Sequence, residues 1–108
     1  MITRQVPASR EPVPIIGLGT WRTFDGASEH ARAPLASVLD RFAAAGGRLI
    51  DTSPMYGQAE EAVGALSAHA PDALIATKVW TRGRADGIAQ MERSMRLLRR
   101  RTWPRCAS

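Results

Sequence analysis

The stretch RLIDTSPMYG, residues 48–57, is a short apolar run that ends in Asp51 and continues into a turn carrying Tyr56. Tyr56 is the only tyrosine of the chain, and Lys78 is its only lysine beside fourteen arginines. Lys78 follows another short apolar run that begins at Ala73. If the two runs are neighbouring parallel strands, a carboxylate, a phenol and an ammonium lie together at their ends. Such a group predicts a proton-donating site.

Three strand–helix units follow one another along the chain, because apolar runs alternate with segments of helical periodicity. The strands are predicted over residues 14–19, 48–51 and 73–79, as continuous apolar runs typical of a buried parallel sheet. The helices are predicted from Pro34 to about residue 45, over 59–68, and from Asp86 to about residue 98. The residues predicted to face inward on the three helices are Leu35, Val38, Leu39 and Phe42; Ala62, Val63 and Leu66; and Ile88, Met91, Met95 and Leu98.

The order of these elements predicts a parallel α/β fold, with a small hairpin over residues 3–13 in front of it. Two architectures fit: an open doubly wound sheet, or part of a (β/α)8 barrel. The open dinucleotide-binding fold requires G-x-G-x-x-G after its first strand. Here GLGTWR, residues 17–22, places Arg22 at the third glycine, so that fingerprint fails.

Three motifs in sequence order resemble the N-terminal part of the aldo/keto reductase family. They are GLGTW at residues 17–21, DTSPMYG at 51–57 with EE at 60–61 and VG at 63–64, and TKVW at 77–80. The resemblance extends from residue 13 to about residue 98. It implies the first three βα units of a (β/α)8 barrel, and an enzyme that moves hydride between NADPH and a small carbonyl substrate.

The resemblance also implies roles for individual residues. Asp51, Tyr56 and Lys78 would be catalytic, with Tyr56 donating the proton, Lys78 stabilising the phenolate, and Asp51 orienting the lysine. Thr20, Trp21 and Asp51 would lie at the cofactor. Trp21, Met55 and Trp80 would wall the substrate pocket.

A structural alternative remains for each of these residues. Tyr56 standing alone is typical of a loop aromatic, Asp51 of a turn-capping carboxylate, and each tryptophan of ordinary packing. His30 and His69 do not match the histidine that completes the family's active centre, and both are predicted to be surface residues. No metal site is predicted, because Cys106 has no neighbour at metal-ligand spacing.

The net charge of +5 comes from the end of the chain. Residues 93–108 hold six arginines and no acid, whereas residues 1–92 hold nine basic and ten acidic residues. Without an apolar run of about 20 residues or a signal peptide, we expect a cytoplasmic protein with no membrane contact. The short RRR run at 99–101 is weak evidence for a nucleic acid partner, and we expect none.

The resemblance breaks off after Leu98, where the family continues with a polar turn and an apolar fourth strand. We therefore expect residues 1–98 to form a partial barrel domain, and residues 99–108 to be a basic tail that is disordered or read out of frame. Three strands cannot close a barrel. The chain alone is accordingly expected to be an inactive fragment, or one completed by a second polypeptide that supplies the other strands.

Overall fold

The computed structural model describes residues 2–26 and 29–100, and it confirms the predicted order of strands and helices. An antiparallel hairpin of β1 (Thr3–Gln5) and β2 (Pro12–Pro14) comes first. The elements that follow are β3 (Gly17–Gly19), α1 (Glu29–Ala44), β4 (Leu49–Asp51), α2 (Ala59–Ala65), a short 3-10 helix (Ser67–His69), β5 (Leu74–Ala76) and α3 (Arg84–Leu98).

Strands β3, β4 and β5 form one parallel sheet in that order. Gly19 pairs with Asp51, and Asp51 pairs with Ala76, so the carboxyl ends of the three strands are level. Each strand has three residues, fewer than predicted. The first is shorter because Pro14 is recruited into the hairpin, where it pairs with Thr3. The parallel sheet and the hairpin were both predicted from sequence.

Helices α1 and α3 each begin earlier in the sequence than predicted. Helix α1 begins at Glu29, five residues before Pro34, which lies inside the helix rather than in its first turn. Pro34 lacks the N–H that would reach back to the preceding turn, and the helix continues through it. Helix α3 begins at Arg84, directly after Gly83, whose positive φ of 84° suits a glycine.

Two residues predicted to face inward are exposed, and both predictions were wrong. Val38 on α1 is 41% exposed and Ile88 on α3 is 45% exposed. Helix α2 has seven residues against fifteen in α3, and it approaches α3 near Leu97. Ile88 lies about two and a half turns away from that contact, so α2 does not cover it.

The core lies between the sheet and the helices. Ile50 and Ile75 are the buried central residues of β4 and β5, and the helices cover them. The other buried apolar residues are Phe24, Leu35, Leu39, Ala59, Ala62, Val63, Ala70, Ala73 and Leu98. None of the helices in the described part of the chain is both long and apolar enough to cross a membrane. The predicted tail lies outside the described residues from position 101 onward.

Candidate active site

The carboxyl edge of the parallel sheet carries the three predicted catalytic residues. Asp51 is the last residue of β4, Tyr56 lies in the turn that follows it, and Lys78 comes two residues after β5. We call these three residues the strand-end cluster. They converge because parallel strands joined by crossover helices deliver the residues that follow them to the same edge.

Lys78 is held by three oxygen acceptors. Its Nζ donates to both carboxylate oxygens of Asp51, at 3.0 and 3.2 Å, and to the carbonyl oxygen of Thr52 at 2.8 Å. The Lys78 and Asp51 side chains are 38% and 48% exposed, so water screens their attraction. Such a pair contributes at most about 1 kcal/mol to stability. Its main consequence is orientation, because three contacts hold the ammonium in one place.

The ammonium also lies against Tyr56. The Nζ atom of Lys78 is 5.1 Å from the centroid of the Tyr56 ring, within the range of a cation–π contact. The strand-end cluster therefore places the ammonium of Lys78 beside the ring of Tyr56.

The turn from residue 52 to 58 holds Tyr56 in place. Ser53 anchors it, since its Oγ accepts from the N–H of Met55 at 3.2 Å and its carbonyl accepts from Tyr56 at 3.1 Å. Gly57 adopts a φ of +53°, and a Cβ there would lie 2.6 Å from the carbonyl oxygen of Asp25. The loop after β3 thus rests directly on the turn that carries the phenol, and only glycine fits between them.

Thr20 connects the end of β3 to Asp51. Its N–H and its hydroxyl both donate to the carbonyl oxygen of Asp51, at 3.1 and 3.0 Å. Thr20 is fully buried. Its observed contact is thus with the strand that bears the carboxylate. A contact of Thr20 with a cofactor stays a prediction.

The predicted pocket residues are exposed at the same edge. Trp21, Met55 and Trp80 are 59%, 58% and 61% exposed. The ring of Trp21 lies 6.4 Å from that of Tyr56, and the guanidinium of Arg22 covers Trp21 at 4.6 Å. The structure therefore brings Trp21 to the strand-end cluster. It leaves large apolar surfaces on all three residues.

Sequence reasoning gave no role to a second layer of residues behind the cluster. Glu60 on α2 is buried, and its carboxylate accepts hydrogen bonds from Thr77 and Ser94. Gln90 on α3 bonds both the N–H and the carbonyl of Trp80. Glu60 belongs to the EE pair at residues 60–61. Its position one turn before Gly64, on the face that includes Val63, was the available signal that it points inward.

The described histidines lie elsewhere. His30 is exposed, and His69 bonds Asp40 at 2.8 Å between their side chains, joining the short 3-10 helix to α1. Neither is among the contacts of the strand-end cluster. Cys106 lies outside the described residues.

Solved structures of aldo-keto reductases share this fold. The thermostable aldo-keto reductase Tm1743, solved with the inhibitor epalrestat, superposes with a TM-score of 0.82 at 24% identity, over 95% of this chain and 40% of its own. An aldo/keto reductase from Klebsiella pneumoniae, solved with NADP and acetate, gives 0.73 at 31% identity, over 87% and 34%. Another Klebsiella pneumoniae aldo-keto reductase, solved with NADPH, gives 0.72 at 28% identity, over 95% and 38%. These matches show the first part of an α/β barrel.

The sequence profile of the aldo/keto reductase family matches residues 15–102, and the chain belongs to this family. No curated protein gave a significant match. The chain spans about two fifths or less of the length of the three solved structures described above.

Proposed function

We propose that residues 2–100 supply the proton-donating half of an NADPH-dependent carbonyl reductase site. The observation that carries the proposal is the strand-end cluster, in which Lys78 contacts both the carboxylate of Asp51 and the ring of Tyr56. Membership of the aldo/keto reductase family supports the same class of oxidoreductase.

Each member of the cluster has a distinct task in this proposal. Tyr56 donates its phenolic proton to the carbonyl oxygen of the substrate, where negative charge develops as the bond is reduced. Lys78 stabilises the phenolate that remains, because its ammonium lies 5.1 Å from the ring. Asp51 keeps that ammonium in place with two hydrogen bonds. In the reverse direction, the same phenolate accepts the proton of an alcohol.

The residues at this edge also fit the nicotinamide part of a cofactor. Trp21 presents an exposed ring beside Tyr56, and Asp51 keeps about half of its side chain in solvent. Trp21 would hold the nicotinamide against the cluster and Asp51 would bind its ribose, while Thr20 keeps Asp51 in position. NADPH supplies the hydride when bound. Structures of Klebsiella pneumoniae relatives contain NADP or NADPH, which supports this cofactor.

The substrate class that suits the site is a small aldehyde or ketone with an apolar substituent. Met55, Trp21 and Trp80 carry exposed apolar surface beyond the strand ends, where a pocket wall would lie. Apolar walls with one convergent proton donor are typical of small-molecule sites.

We further propose that the 108-residue chain needs additional strands for turnover. Strands β3 and β5 form the two edges of a three-stranded sheet, and a barrel of this type closes with eight strands. The missing strands would come from a longer form of the protein or from a second polypeptide.

The test uses NADPH and a panel of small aldehydes. The purified chain is first assayed alone. A chimera is then assayed in which the chain replaces the matching segment of the Klebsiella pneumoniae reductase that was solved with NADP and acetate. We expect reduction by the chimera only, and Tyr56→Phe in the chimera to lose at least about 100-fold in kcat, as for removal of a general acid. Glu61→Gln, an exposed change on α2, is the matched control and should keep the rate.

Two results would contradict the proposal. A folded chimera that binds NADPH and keeps its rate after Tyr56→Phe would remove the proton-donating role. Saturable NADPH binding with turnover by the chain alone would show that no further strands are needed.

A further inference from the structure

Glu60 is a buried carboxylate that the proposed reaction does not use. It lies in the first turn of α2 and is 2% exposed. A buried carboxyl group is costly unless hydrogen bonds replace its water. Each of its oxygens accepts a hydrogen bond from one hydroxyl group: Oε1 from Thr77 at 2.6 Å, and Oε2 from Ser94 at 3.0 Å.

The two hydroxyls belong to different parts of the fold. Thr77 follows β5 and directly precedes Lys78, whereas Ser94 lies in α3 and is 1% exposed. Helix α2 is close to α3 at this point, since a Cβ on Gly64 would lie 1.9 Å from the carbonyl oxygen of Leu97. Glu60 is therefore held from the helix side, and it connects the helix pair to the segment that bears the lysine.

The segment from Thr77 to Trp80 lies beyond the sheet ladder. The last paired residue of β5 is Ala76, whose carbonyl accepts the N–H of Thr52 at 2.8 Å. After Ala76, hydrogen bonds from side chains of α2 and α3 take the place of the backbone hydrogen bonds of the sheet. Glu60 holds Thr77, and Gln90 bonds both backbone groups of Trp80. Lys78 lies between these two points of attachment.

The hydrogen bond between Thr77 and Glu60 sets the direction in which the Lys78 side chain points. Successive side chains of an extended segment point to opposite sides. Thr77 reaches Glu60 on α2, whereas its neighbour Lys78 reaches Asp51 and the carbonyl of Thr52 at the end of β4. A rotation of the backbone at residue 77 would break the hydrogen bond to Glu60 and turn the ammonium away from Asp51.

We propose that Glu60 is a positioning residue that acts through Thr77 to hold the Lys78 ammonium on Asp51, beside Tyr56. The inference rests on the proposed function for its meaning, since it assigns a support to the same proton-donating site. It differs from a purely structural role in one respect: only the hydrogen bond to Thr77, and not the one to Ser94, governs the lysine.

The chain offers a direct readout, because Lys78 is its only lysine. The intact 108-residue chain is treated with limiting acetic anhydride, and acetylation of Lys78 is measured by mass spectrometry against the α-amino group. Thr77→Val and Ser94→Ala form a matched pair, since each leaves one oxygen of Glu60 without its hydroxyl. Urea unfolding of both variants gives their stabilities, and Glu61→Ala is the exposed neighbour control.

We expect Lys78 in Thr77→Val and Glu60→Ala to react about fivefold faster, the factor that matches about 1 kcal/mol of lost hydrogen bonding. Ser94→Ala and Glu61→Ala should react at the wild-type rate. Glu60→Gln, whose amide still accepts one hydrogen bond, should restore most of the protection. If Glu60→Ala does not fold, the comparison of Thr77→Val with Ser94→Ala is sufficient to test whether the hydrogen bond to Thr77 positions Lys78.

The inference is overturned if Thr77→Val leaves the lysine protected, or if Ser94→Ala releases it equally at the same loss of stability. The measurement uses no cofactor, so it is independent of carbonyl reduction. Failure of the proposed function is seen separately, in the Tyr56→Phe chimera.

Discussion

Gly64→Ala is predicted to destabilise the protein, although the same change in a helix usually stabilises it. Gly64 lies in α2, where alanine is favoured over glycine by about 1 kcal/mol. An added Cβ, however, would lie 1.9 Å from the carbonyl oxygen of Leu97 and 3.0 Å from the Cα of Leu98. Both are backbone atoms, so no side-chain rotation relieves the contact and α2 must move away from α3.

The size of the effect follows from these two opposing terms. Overpacking of a close contact costs about 1–3 kcal/mol, and a contact with rigid backbone belongs at the upper end of that range. After the helix-propensity gain is subtracted, we expect a net loss of about 2 kcal/mol. For a domain of this size that corresponds to a fall in Tm of roughly 8–16 °C.

Urea unfolding followed by circular dichroism measures the change, with Gly87→Ala as the matched control. Gly87 lies in α3, and the nearest atom to a Cβ there is a methyl group of Val79 at 3.7 Å. Gly87→Ala should therefore stabilise the protein by up to about 1 kcal/mol. Equal or greater stability in Gly64→Ala would refute the close α2–α3 contact.

Three further changes test other parts of the structure by urea unfolding. Ile50→Ala removes a side chain that is 1% exposed and should cost about 2–5 kcal/mol; a smaller loss would mean that β4 is not central to the core. Gly57→Ala should cost about 1–3 kcal/mol, because φ is +53° and Asp25 blocks the Cβ; a neutral effect would contradict that turn. Asp40→Asn, at the exposed pair with His69, should cost less than about 1 kcal/mol, and a larger loss would contradict its screening by water.

The sequence was most informative where a pattern repeats over several residues. The apolar runs before Asp51 and Lys78 predicted two neighbouring parallel strands, and the structure pairs them in register at Asp51 and Ala76. The ends of the helices were harder to predict from the sequence. Pro34 suits a first helical turn, but the helix extends past it to Glu29, so the position that lacks an N–H falls inside the helix.

In the candidate site, too, some residues could be predicted from the sequence and others could not. Its reactive groups stand out because Tyr56 and Lys78 are each unique in the chain, and each follows an apolar run. The residues that support the neighbouring backbone, such as Gln90 and Thr77, have ordinary side chains at ordinary helix and loop positions. Their importance depends on a partner far away in the sequence, and no local pattern reveals such a partner.

By itself, the sequence determined the parallel strand–helix order, the family, and the residues that meet at the strand ends. Periodicity and motif spacing are local properties, so they can be seen without coordinates. Only the tertiary structure decided that Glu60 is shared between Thr77 and Ser94, and that Gly64 brings α2 against α3. These contacts depend on how closely two helices approach each other, and that distance is set by the packing of the whole core.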